Sequence, residues 1–176
     1  MASQGEQVGA HGDGCGHGVR AAALDDAERR GIIGVHAHEG LWLDGVEQQY
    51  IEEVGAMNIF FIIDDELITP MLSGSILPGI TRDSVIALGK SWDIKVTERK
   101  ISIDEVVAAH DSGKLQEIFG SGTAAVISPV GELKYGDKVL TIGDGSVGPV
   151  ASKLFNSIQD IQYGNAKDLF EWIEPV

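Results

Sequence analysis

Two adjacent carboxylates, Glu52 and Glu53, precede a strongly apolar run in the segment IEEVGAMNIFF at residues 51–61. Residues 58–63 are almost wholly apolar, which is typical of a strand buried on both faces. A carboxylate beside such a strand lies near a dry interior, where it needs a cationic partner or a hydrogen-bond donor. Two interpretations stay open: a carboxylate with a functional partner, or two solvated turn residues.

A second stretch with chemical potential is the loop at residues 73–79, which holds two glycines and a proline and leads into a predicted helix. Thr81 is a suitable cap for a helix over residues 82–91, and Asp83 suits its first turn. Free backbone N–H groups at the start of a helix bind anions, most often phosphate. The alternative is an ordinary junction between a loop and a helix.

Charge and composition exclude several classes of function. The 176-residue chain has a net charge of −14, which argues against a nucleic-acid partner and against an anionic membrane surface. No apolar run approaches the ~20 residues needed to span a bilayer, and the N-terminus lacks the pattern of a secretory signal. The single cysteine, Cys15, cannot form an internal disulfide, which points to a cytoplasmic location.

Residues 1–40 are predicted to be a flexible Gly- and His-containing segment with one short helix. Residues 1–20 have no apolar period, whereas residues 20–30 contain several helix formers. Four side chains in this segment are of types that bind zinc, but their spacing matches no familiar zinc motif and no metal site is predicted. They are Cys15, His17, His36 and His38.

Residues 41–176 are predicted to form one folded domain of mixed strands and helices, that is, an α/β (α+β) fold. Residues 41–44 indicate a short buried strand, and the runs on either side of Asp64 and Asp65 indicate a hairpin. Further strand patterns occupy residues 95–100, 124–129 and 139–142.

Two later helices carry recognisable start signals. Ser102, with Glu105 three residues on, forms a capping-box pattern for a helix that ends near residue 111. Pro149 suits the first turn of a last helix that ends near residue 162. Apolar residues of this last helix recur at helical spacing and are predicted to pack in the core. They are Leu154, Ile158 and Ile161.

Several motifs in order give the sequence a family resemblance, which runs from about residue 41 to the C-terminus. They are EVGAMN at residues 53–58, TPMLSGSILPGITR at 69–82, FGSGTAAVISPV at 119–130 and DIQYG at 160–164. The combination resembles the large domain of class IV, pyridoxal-phosphate-dependent aminotransferases, most closely the branched-chain amino acid aminotransferases. The resemblance implies the type IV pyridoxal-phosphate fold without its small N-terminal domain, and a homodimer as the usual unit.

The resemblance also implies roles in binding pyridoxal phosphate. Glu53 matches the carboxylate that keeps the ring nitrogen protonated, so that the ring draws electrons from the substrate Cα. The backbone N–H groups of Ile80 and Thr81 match groups that bind the phosphate, as does the hydroxyl of Thr123. Leu77 matches the residue that packs on one face of the ring.

A second set of residues is matched to the substrate. Ala56 and Met57 correspond to positions lining the pocket for the branched side chain, and the N–H groups of Thr123 and Ala124 to those receiving the substrate carboxylate. The implied reaction is transamination of leucine, isoleucine and valine with 2-oxoglutarate. Apolar pockets discriminate by only ~1–3 kcal/mol per methylene, so substrate preference is weakly fixed.

The lysine that binds the cofactor as a Schiff base in this family has no counterpart in the sequence. Its expected position lies near residues 14–20, which read GCGHGVR, and the first lysine of the chain is Lys90. No catalytic residue is assigned, and this chain is expected to be inactive alone and to bind the cofactor weakly and non-covalently. A C-x-x-C pair present in some branched-chain enzymes is replaced by Ala125 and Ser128.

Three hypotheses stay open. The chain is a branched-chain aminotransferase large domain, or a non-catalytic module that keeps a cofactor or phosphate site or a dimer surface. The third is a related activity, that of a D-amino acid aminotransferase or an aminodeoxychorismate-type lyase. The missing lysine favours absence of turnover in this chain, while the MNIF and DIQYG details favour the branched-chain group.

Overall fold

The structure is a computed structural model that describes residues 19–22, 39–135 and 138–174. Within these residues the chain forms a ten-stranded sheet and three α-helices, which confirms the predicted α/β class. The strands are β1 (Val19–Ala22), β2 (Glu39–Leu43), β3 (Ile51–Val54), β4 (Met57–Ile63), β5 (Glu66–Thr69), β6 (Lys95–Glu98), β7 (Leu115–Gly122), β8 (Val126–Pro129), β9 (Glu132–Tyr135) and β10 (Lys138–Thr141). The helices are α1 (Ile80–Ser91), α2 (Ile103–Asp111) and α3 (Pro149–Gln162).

Strand β4 is the centre of the sheet because it pairs with three other strands. Its start pairs with β3, its end pairs with β5, and β7 runs antiparallel along nearly its whole length. Beyond β3 the sheet continues through β2, β1 and β9 to β10, and β8 follows β7. Strands β5 and β6 are parallel, and α1 is the crossover between them.

The side chains of β4 alternate between two hydrophobic cores. Phe60 and Ile62 pack with α1 and α3 on one face of the sheet, and Ile59 and Phe61 pack with α2 on the other. Because helices cover both faces, the strand is apolar at nearly every position. Asn58 shares the face of Phe60, since side chains alternate with a period of two. A polar side chain therefore lies at the end of the core formed by α1 and α3.

The hairpin between β4 and β5 has the tight turn that its two aspartates predicted. Asp64 and Asp65 have positive φ angles of 50° and 61°, the backbone form that suits a two-residue hairpin turn. Lys114 Nζ contacts Asp64 at 2.6 Å, and Gln116 Nε2 donates to Asp65 at 2.8 Å. The turn is therefore held against the start of β7.

Helix α2 begins as its capping pattern predicted. Ser102 Oγ accepts a hydrogen bond from the backbone N–H of Glu105 at 3.1 Å. The Glu105 carboxylate does not complete a reciprocal box but binds the guanidinium of Arg99. Gly113, with a φ of 72°, follows the end of the helix, as expected for a residue that stops it.

Replacing Ser102 with alanine should lower the free energy of unfolding by about 1 kcal/mol, because loss of a helix N-cap typically costs about 0.5–2 kcal/mol. Urea unfolding of the two proteins measures the difference. Ser112→Ala is the matched control, because the Ser112 hydroxyl donates only to carbonyls in the last turns of the same helix. An equal loss from both variants would contradict the capping role of Ser102.

Helix α3 has the bounds that Pro149 and the apolar spacing predicted. Leu154, Ile158 and Ile161 are all buried, so the predicted core face is confirmed. No helix in the described ranges is long and apolar enough to cross a membrane.

A carboxylate from β7 caps the start of α3. The two oxygens of Glu117 accept hydrogen bonds from the backbone N–H groups of Val150 at 2.8 Å and Ala151 at 2.9 Å. The Glu117 residue is only 5% exposed, and burial raises the pKa of its carboxyl group while the two N–H groups act in the opposite direction. A long-range contact thus fixes α3 against the sheet.

A helix was predicted over residues 20–30, and the structure corrects this prediction for the first three of these residues. Residues 20–22 belong to β1, because their backbone pairs with β2 and β9. Strand pairing of this kind overrides a weak local helix preference. Residues 1–18 and 23–38 lie outside the described part of the chain, and with them Cys15, His17, His36 and His38. Among the described residues, no three His, Cys, Asp or Glu side chains cluster as metal ligands.

One further local expectation is corrected. Thr81 is the second residue of α1 and not its cap, because the helix begins one residue earlier, directly after Gly79. Of the two interpretations left open for Glu52 and Glu53, turn residues are excluded, because both lie in β3, which pairs with neighbours on both sides. The turn comes after them, and Gly55 in it has a φ of 56°.

Candidate functional site

Three polar side chains lie side by side on the face of the sheet that carries α1 and α3. Glu53 on β3 is paired with Asn58 on β4, and Asn58 is paired with Ser121 on β7. Residues directly opposite each other in antiparallel strands point to the same face, with Cβ atoms ~4.5–5.5 Å apart. We call Glu53, Asn58 and Ser121 the polar row.

Glu53 is the acidic end of the polar row. Its Oε1 accepts a hydrogen bond from the backbone N–H of Leu77 at 3.2 Å and a longer one from Asn58 Nδ2 at 3.5 Å. Burial raises the pKa of Glu53, the Leu77 N–H acts in the opposite direction, and the neighbouring charge of Glu52 adds to the rise. Both donors bind Oε1, so Oε2 is left for a donor on a ligand.

Asn58 joins the polar row to the loop before α1. Its amide is buried, with 6% of the residue exposed, and its Nδ2 donates to the carbonyl of Leu77 at 2.8 Å. Leu77 is therefore held at both backbone groups, its C=O by Asn58 and its N–H by Glu53. The side chain of Leu77 is 71% exposed and free to contact a ligand.

Glu52 binds the same loop from the neighbouring position. Its Oε1 accepts a hydrogen bond from Ser75 Oγ at 2.6 Å. Of the two interpretations of the acidic pair, the structure supports partnered carboxylates over solvated turn residues. Within the described residues, the hydrogen-bond partners of Glu53 and Glu52 are neutral N–H and O–H donors, so neither carboxylate is paired with a cation there.

The start of α1 faces the polar row with free backbone donors. The first N–H groups of a helix have no intrahelical partner, and within the described residues no side chain caps this helix. These groups include the N–H groups of Ile80 and Thr81. A Cβ on Gly79 would lie 2.3 Å from Asn58 Oδ1, so only glycine allows the helix to approach this closely. The free N–H groups and the helix dipole favour an anion here.

The turn between β7 and β8 lies at the other side of the groove. Thr123 and Ala124 are exposed residues of this turn, which follows directly from Ser121 and Gly122. The hydroxyl and backbone N–H groups of an exposed turn are available to a ligand. The turn therefore adds neutral donors next to those of α1.

The polar row, the start of α1 and the β7–β8 turn border one shallow groove of about 80 Å³. Ligand pockets are typically ~300–1,000 Å³, so the described residues provide one wall of a site. The lining residues are Glu53, Ala56, Asn58, Leu77, Gly79, Ile80, Thr81, Ser121, Gly122 and Thr123. The predicted cofactor residues are therefore brought together in one place.

Two of the predicted substrate residues are not in this lining. Met57 points to the opposite face of the sheet, where a Cβ on Gly120 or Gly122 would meet its side chain at about 3 Å. Ala124 follows Thr123 in the exposed turn but does not border the groove. Ala56 does border it. The roles assigned to Met57 and Ala124 stay predictions.

A larger hollow of about 320 Å³ lies beyond the Glu52–Ser75 contact, but its charged groups are already partnered. Asp44 accepts hydrogen bonds from several backbone N–H groups, which lower the pKa of its carboxyl group. Lys100 lies over the ring of Tyr50, with Nζ 4.4 Å from the ring centroid. The hollow also lacks the start of a helix, so the small groove is the better candidate for binding an anion.

The part of the chain that the structure describes places no amine in the lining of the groove. None of its lining residues is a lysine. Lys90, the first lysine in the sequence, belongs to the last turn of α1, whereas the groove lies at the first turn. At a rise of ~1.5 Å per residue the two ends of this helix are roughly 15 Å apart.

Sequence reasoning did not assign roles to Asn58 and Ser121. Asn58 was visible as the one amide in an apolar run, and Ser121 as part of the FGSGT motif. Neither signal identifies a neighbour, because the strand register that joins the two residues to Glu53 is not a local property of the sequence.

A mixed α/β domain with an acidic residue at one end of a groove and free N–H donors at the other is the arrangement expected of a phosphorylated-cofactor site. The family model described as "Amino-transferase class IV" matches residues 15–133, and the chain belongs to this family. The match begins well before residue 41, where the motif resemblance starts.

Similar proteins agree on one group within the family. The chain is 57% identical over 150 residues to branched-chain-amino-acid aminotransferase 2 of Bacillus subtilis (strain 168), covering 85% of this chain and 40% of that protein. It is 51% identical over 155 residues to branched-chain-amino-acid transaminase 1 of the same organism, covering 88% and 43%. The chain thus spans about two fifths of the length of these relatives.

Solved structures give the same result. The crystal structure of the branched-chain amino acid aminotransferase of Escherichia coli matches with a TM-score of 0.66 and 33% identity, covering 85% of this chain and 44% of that one. The branched-chain amino acid aminotransferase of T.th. with pyridoxamine 5′-phosphate matches with a TM-score of 0.63 and 30% identity, covering 78% and 42%. The chain is therefore related to branched-chain aminotransferases in both sequence and fold.

Proposed function

We propose that this chain supplies the wall of a branched-chain aminotransferase site that binds the ring nitrogen and the phosphate of pyridoxal 5′-phosphate. The observation that carries the proposal is the groove itself, which holds a carboxylate at one end and uncapped helix N–H groups at the other. These two ends suit the two charged ends of the cofactor. The relatives named above support the choice of cofactor and of amino acid class.

The residues present fit the cofactor on three observations. The start of α1 is uncapped, Gly79 leaves no room for a side chain against Asn58, and the buried hydroxyl of Ser121 has no partner within the described residues. The cofactor, when bound, withdraws electrons from the substrate Cα and so makes its proton acidic. The protein's part is to hold and orient both.

Each end of the groove has its own task. Glu53 Oε2 would accept a hydrogen bond from the protonated ring nitrogen, and the negative charge of Glu53 would keep that nitrogen protonated. The N–H groups of Ile80 and Thr81 and the hydroxyl of Thr123 donate to the phosphate. Leu77, fixed at both backbone groups, presents its exposed side chain to one face of the ring.

The substrate would be contacted by Ala56 and by the β7–β8 turn. Ala56 borders the groove with a small apolar side chain and suits the branched side chain of leucine, isoleucine or valine. The N–H groups of Thr123 and Ala124 suit the carboxylate shared by the amino acid and the 2-oxo acid. The homodimer and the cytoplasmic location also stay predictions.

Turnover requires an amine that the groove does not contain. We therefore expect this chain alone to bind the cofactor without a covalent bond and without transamination, and any amine to come from outside this chain. This keeps the second hypothesis, a non-catalytic cofactor- or phosphate-binding module, as the alternative. The named relatives favour the branched-chain group over the D-amino acid and lyase alternatives.

Titration of the chain with pyridoxal 5′-phosphate tests the proposal. Thr123→Val should weaken binding, because it removes a phosphate donor, whereas Glu53→Gln should alter the ring absorbance that reports nitrogen protonation and leave phosphate affinity nearly unchanged. Thr141→Val, at an exposed position of β10, is the matched control and should bind as the wild type does. A borohydride-trapped adduct at one specific lysine would overturn the expectation of non-covalent binding.

A further inference from the structure

The hydroxyl of Ser121 is a buried polar group of the groove with no role so far. The residue is 1% exposed, and its Oγ has no hydrogen-bond partner within the described residues. A buried hydroxyl without a partner costs free energy, because it gives up its hydrogen bonds to water and gains none in return. Such a group in a ligand groove is accounted for when a ligand supplies the missing partner.

The position of Ser121 in the polar row decides which part of a ligand it meets. Glu53 occupies one end of the row and Ser121 the other, with Asn58 between them. Asn58 is already bound to Leu77 and Glu53 through its Nδ2. An anionic oxygen is repelled by the carboxylate of Glu53 and attracted to the opposite end.

The surroundings of Ser121 are also those of an anion site. Thr123 follows it by two residues in the same chain segment, and the uncapped start of α1 borders the same groove. Within the described residues the lining of the groove holds Glu53 as its charged side chain and neutral donors elsewhere. A hydroxyl rotates about its C–O bond, so it can turn its hydrogen toward an oxygen held by the helix.

We propose that Ser121 is a phosphate-binding residue whose hydroxyl donates a hydrogen bond to an oxygen of a phosphate monoester bound between α1 and the β7–β8 turn. The proposal rests on the proposed function for the identity of that monoester. The presence of an anion site at this end of the groove rests on the unpartnered hydroxyl and the free N–H groups alone. Ser121 thereby joins Ile80, Thr81 and Thr123 at the phosphate end.

On this proposal, the Ser121 hydroxyl lowers the unfolding free energy of the ligand-free chain and raises the affinity of the chain for a phosphate. Ser121→Ala should leave the urea midpoint of the ligand-free chain unchanged or higher, because it removes an unsatisfied buried hydroxyl. The same variant should weaken binding of pyridoxal 5′-phosphate and of inorganic phosphate about tenfold, the loss expected for one charge-assisted hydrogen bond. A residue with a merely structural role would change stability in the other direction.

Ser128→Ala is the matched control. Ser128 lies on β8, is 4% exposed, does not line the groove and has an interaction partner. Its replacement should lower the urea midpoint and leave both ligand affinities unchanged. Ser121→Cys is a second variant, which keeps a similar size with a weak donor and should lose affinity as Ser121→Ala does.

Calorimetric titration of the full chain with three probes completes the test: pyridoxal 5′-phosphate, inorganic phosphate, and pyridoxal, which lacks the phosphate. Loss of affinity for the two phosphates with pyridoxal unaffected supports the proposal. Unchanged phosphate affinity in Ser121→Ala, or an equal loss for all three probes, overturns it. If wild-type protein binds pyridoxal 5′-phosphate no more tightly than inorganic phosphate, the proposed function fails while the assignment of Ser121 stands on the phosphate result.

Discussion

Replacing Gly79 with alanine should abolish detectable phosphate binding and lower the free energy of unfolding by about 1–3 kcal/mol, the usual range for an overpacked site. The added Cβ would lie 2.3 Å from Asn58 Oδ1. Asn58 has little freedom to move, because it is buried and bound to the carbonyl of Leu77 at 2.8 Å. The clash therefore displaces the loop and the start of α1, which carries the phosphate donors.

Gly74→Ala is the control for this prediction, because it makes the same change in the same loop with no atom within 4 Å of the new Cβ. It should bind phosphate as the wild type does. The double variant Asn58→Ala/Gly79→Ala removes the clashing atom. Its loss of unfolding free energy should therefore be smaller than the sum of the losses of the two single variants. Unchanged phosphate binding by Gly79→Ala in a calorimetric titration would show that the approach of the helix to β4 is not needed.

Replacing Glu117 with alanine should lower the free energy of unfolding by about 2–4 kcal/mol, since one buried and one partly buried N–H group lose their acceptors, at roughly 1–3 kcal/mol for a buried group and less for the other. The acceptors are the two carboxylate oxygens that bind Val150 and Ala151. Urea unfolding at neutral pH measures the loss. Glu132→Ala, at an exposed position of β9, is the matched control and should cost little. A loss no larger than that of the control would show that α3 does not depend on this cap.

The same carboxylate should give stability a pH dependence of known sign. Burial raises the pKa of Glu117 in the folded protein above its ordinary value of 4.5. The folded state then binds its proton more tightly than the unfolded state, so this contribution is fully present below pH 4.5 and is lost as pH rises through the raised pKa. The unfolding free energy of the wild type should therefore fall relative to that of Glu117→Gln over that window.

Elements with local start and stop signals were predictable from the sequence. Pro149 at the first turn and the apolar spacing of α3 predicted both of its ends. Ser102 predicted the start of α2, because a hydroxyl that accepts the third N–H of a helix acts within one turn. The two aspartates predicted the β4–β5 hairpin, because the preference of a residue for a tight turn is also a local property.

Elements defined by distant pairing were not predictable. Residues 20–22 form a strand because β2 and β9 flank them, which no local pattern indicates. Thr81 has the side chain of a cap, but the helix starts at Ile80, and the N-cap position is taken by Gly79, which lies close to Asn58. Glu117 caps a helix that begins far along the chain, and its neighbours in sequence give no sign of this.

The candidate site falls between these two cases. Glu53, Leu77, Ile80, Thr81 and Thr123 were assigned from motifs, and all of them border one groove. Ser121 was not assigned, because its importance arises from lying beside Asn58 across two strands and from lacking a partner. Motifs identify groups that a ligand touches, whereas a missing hydrogen bond can be seen only in three dimensions.

The polar row also has a fixed length. Its members sit on three adjacent strands, β3, β4 and β7, and adjacent strands in a sheet are ~4.7–4.9 Å apart because of their backbone hydrogen bonds. The distance from Glu53 to Ser121 is thus a spacing of roughly 10 Å that is set by peptide geometry and not by side chains. Substitutions can change the polarity or the depth of the groove, but they cannot stretch it. The sheet therefore fixes the spacing between the two ends of the polar row. The length of ligand that fits between them is the feature of this site that sequence changes alter least.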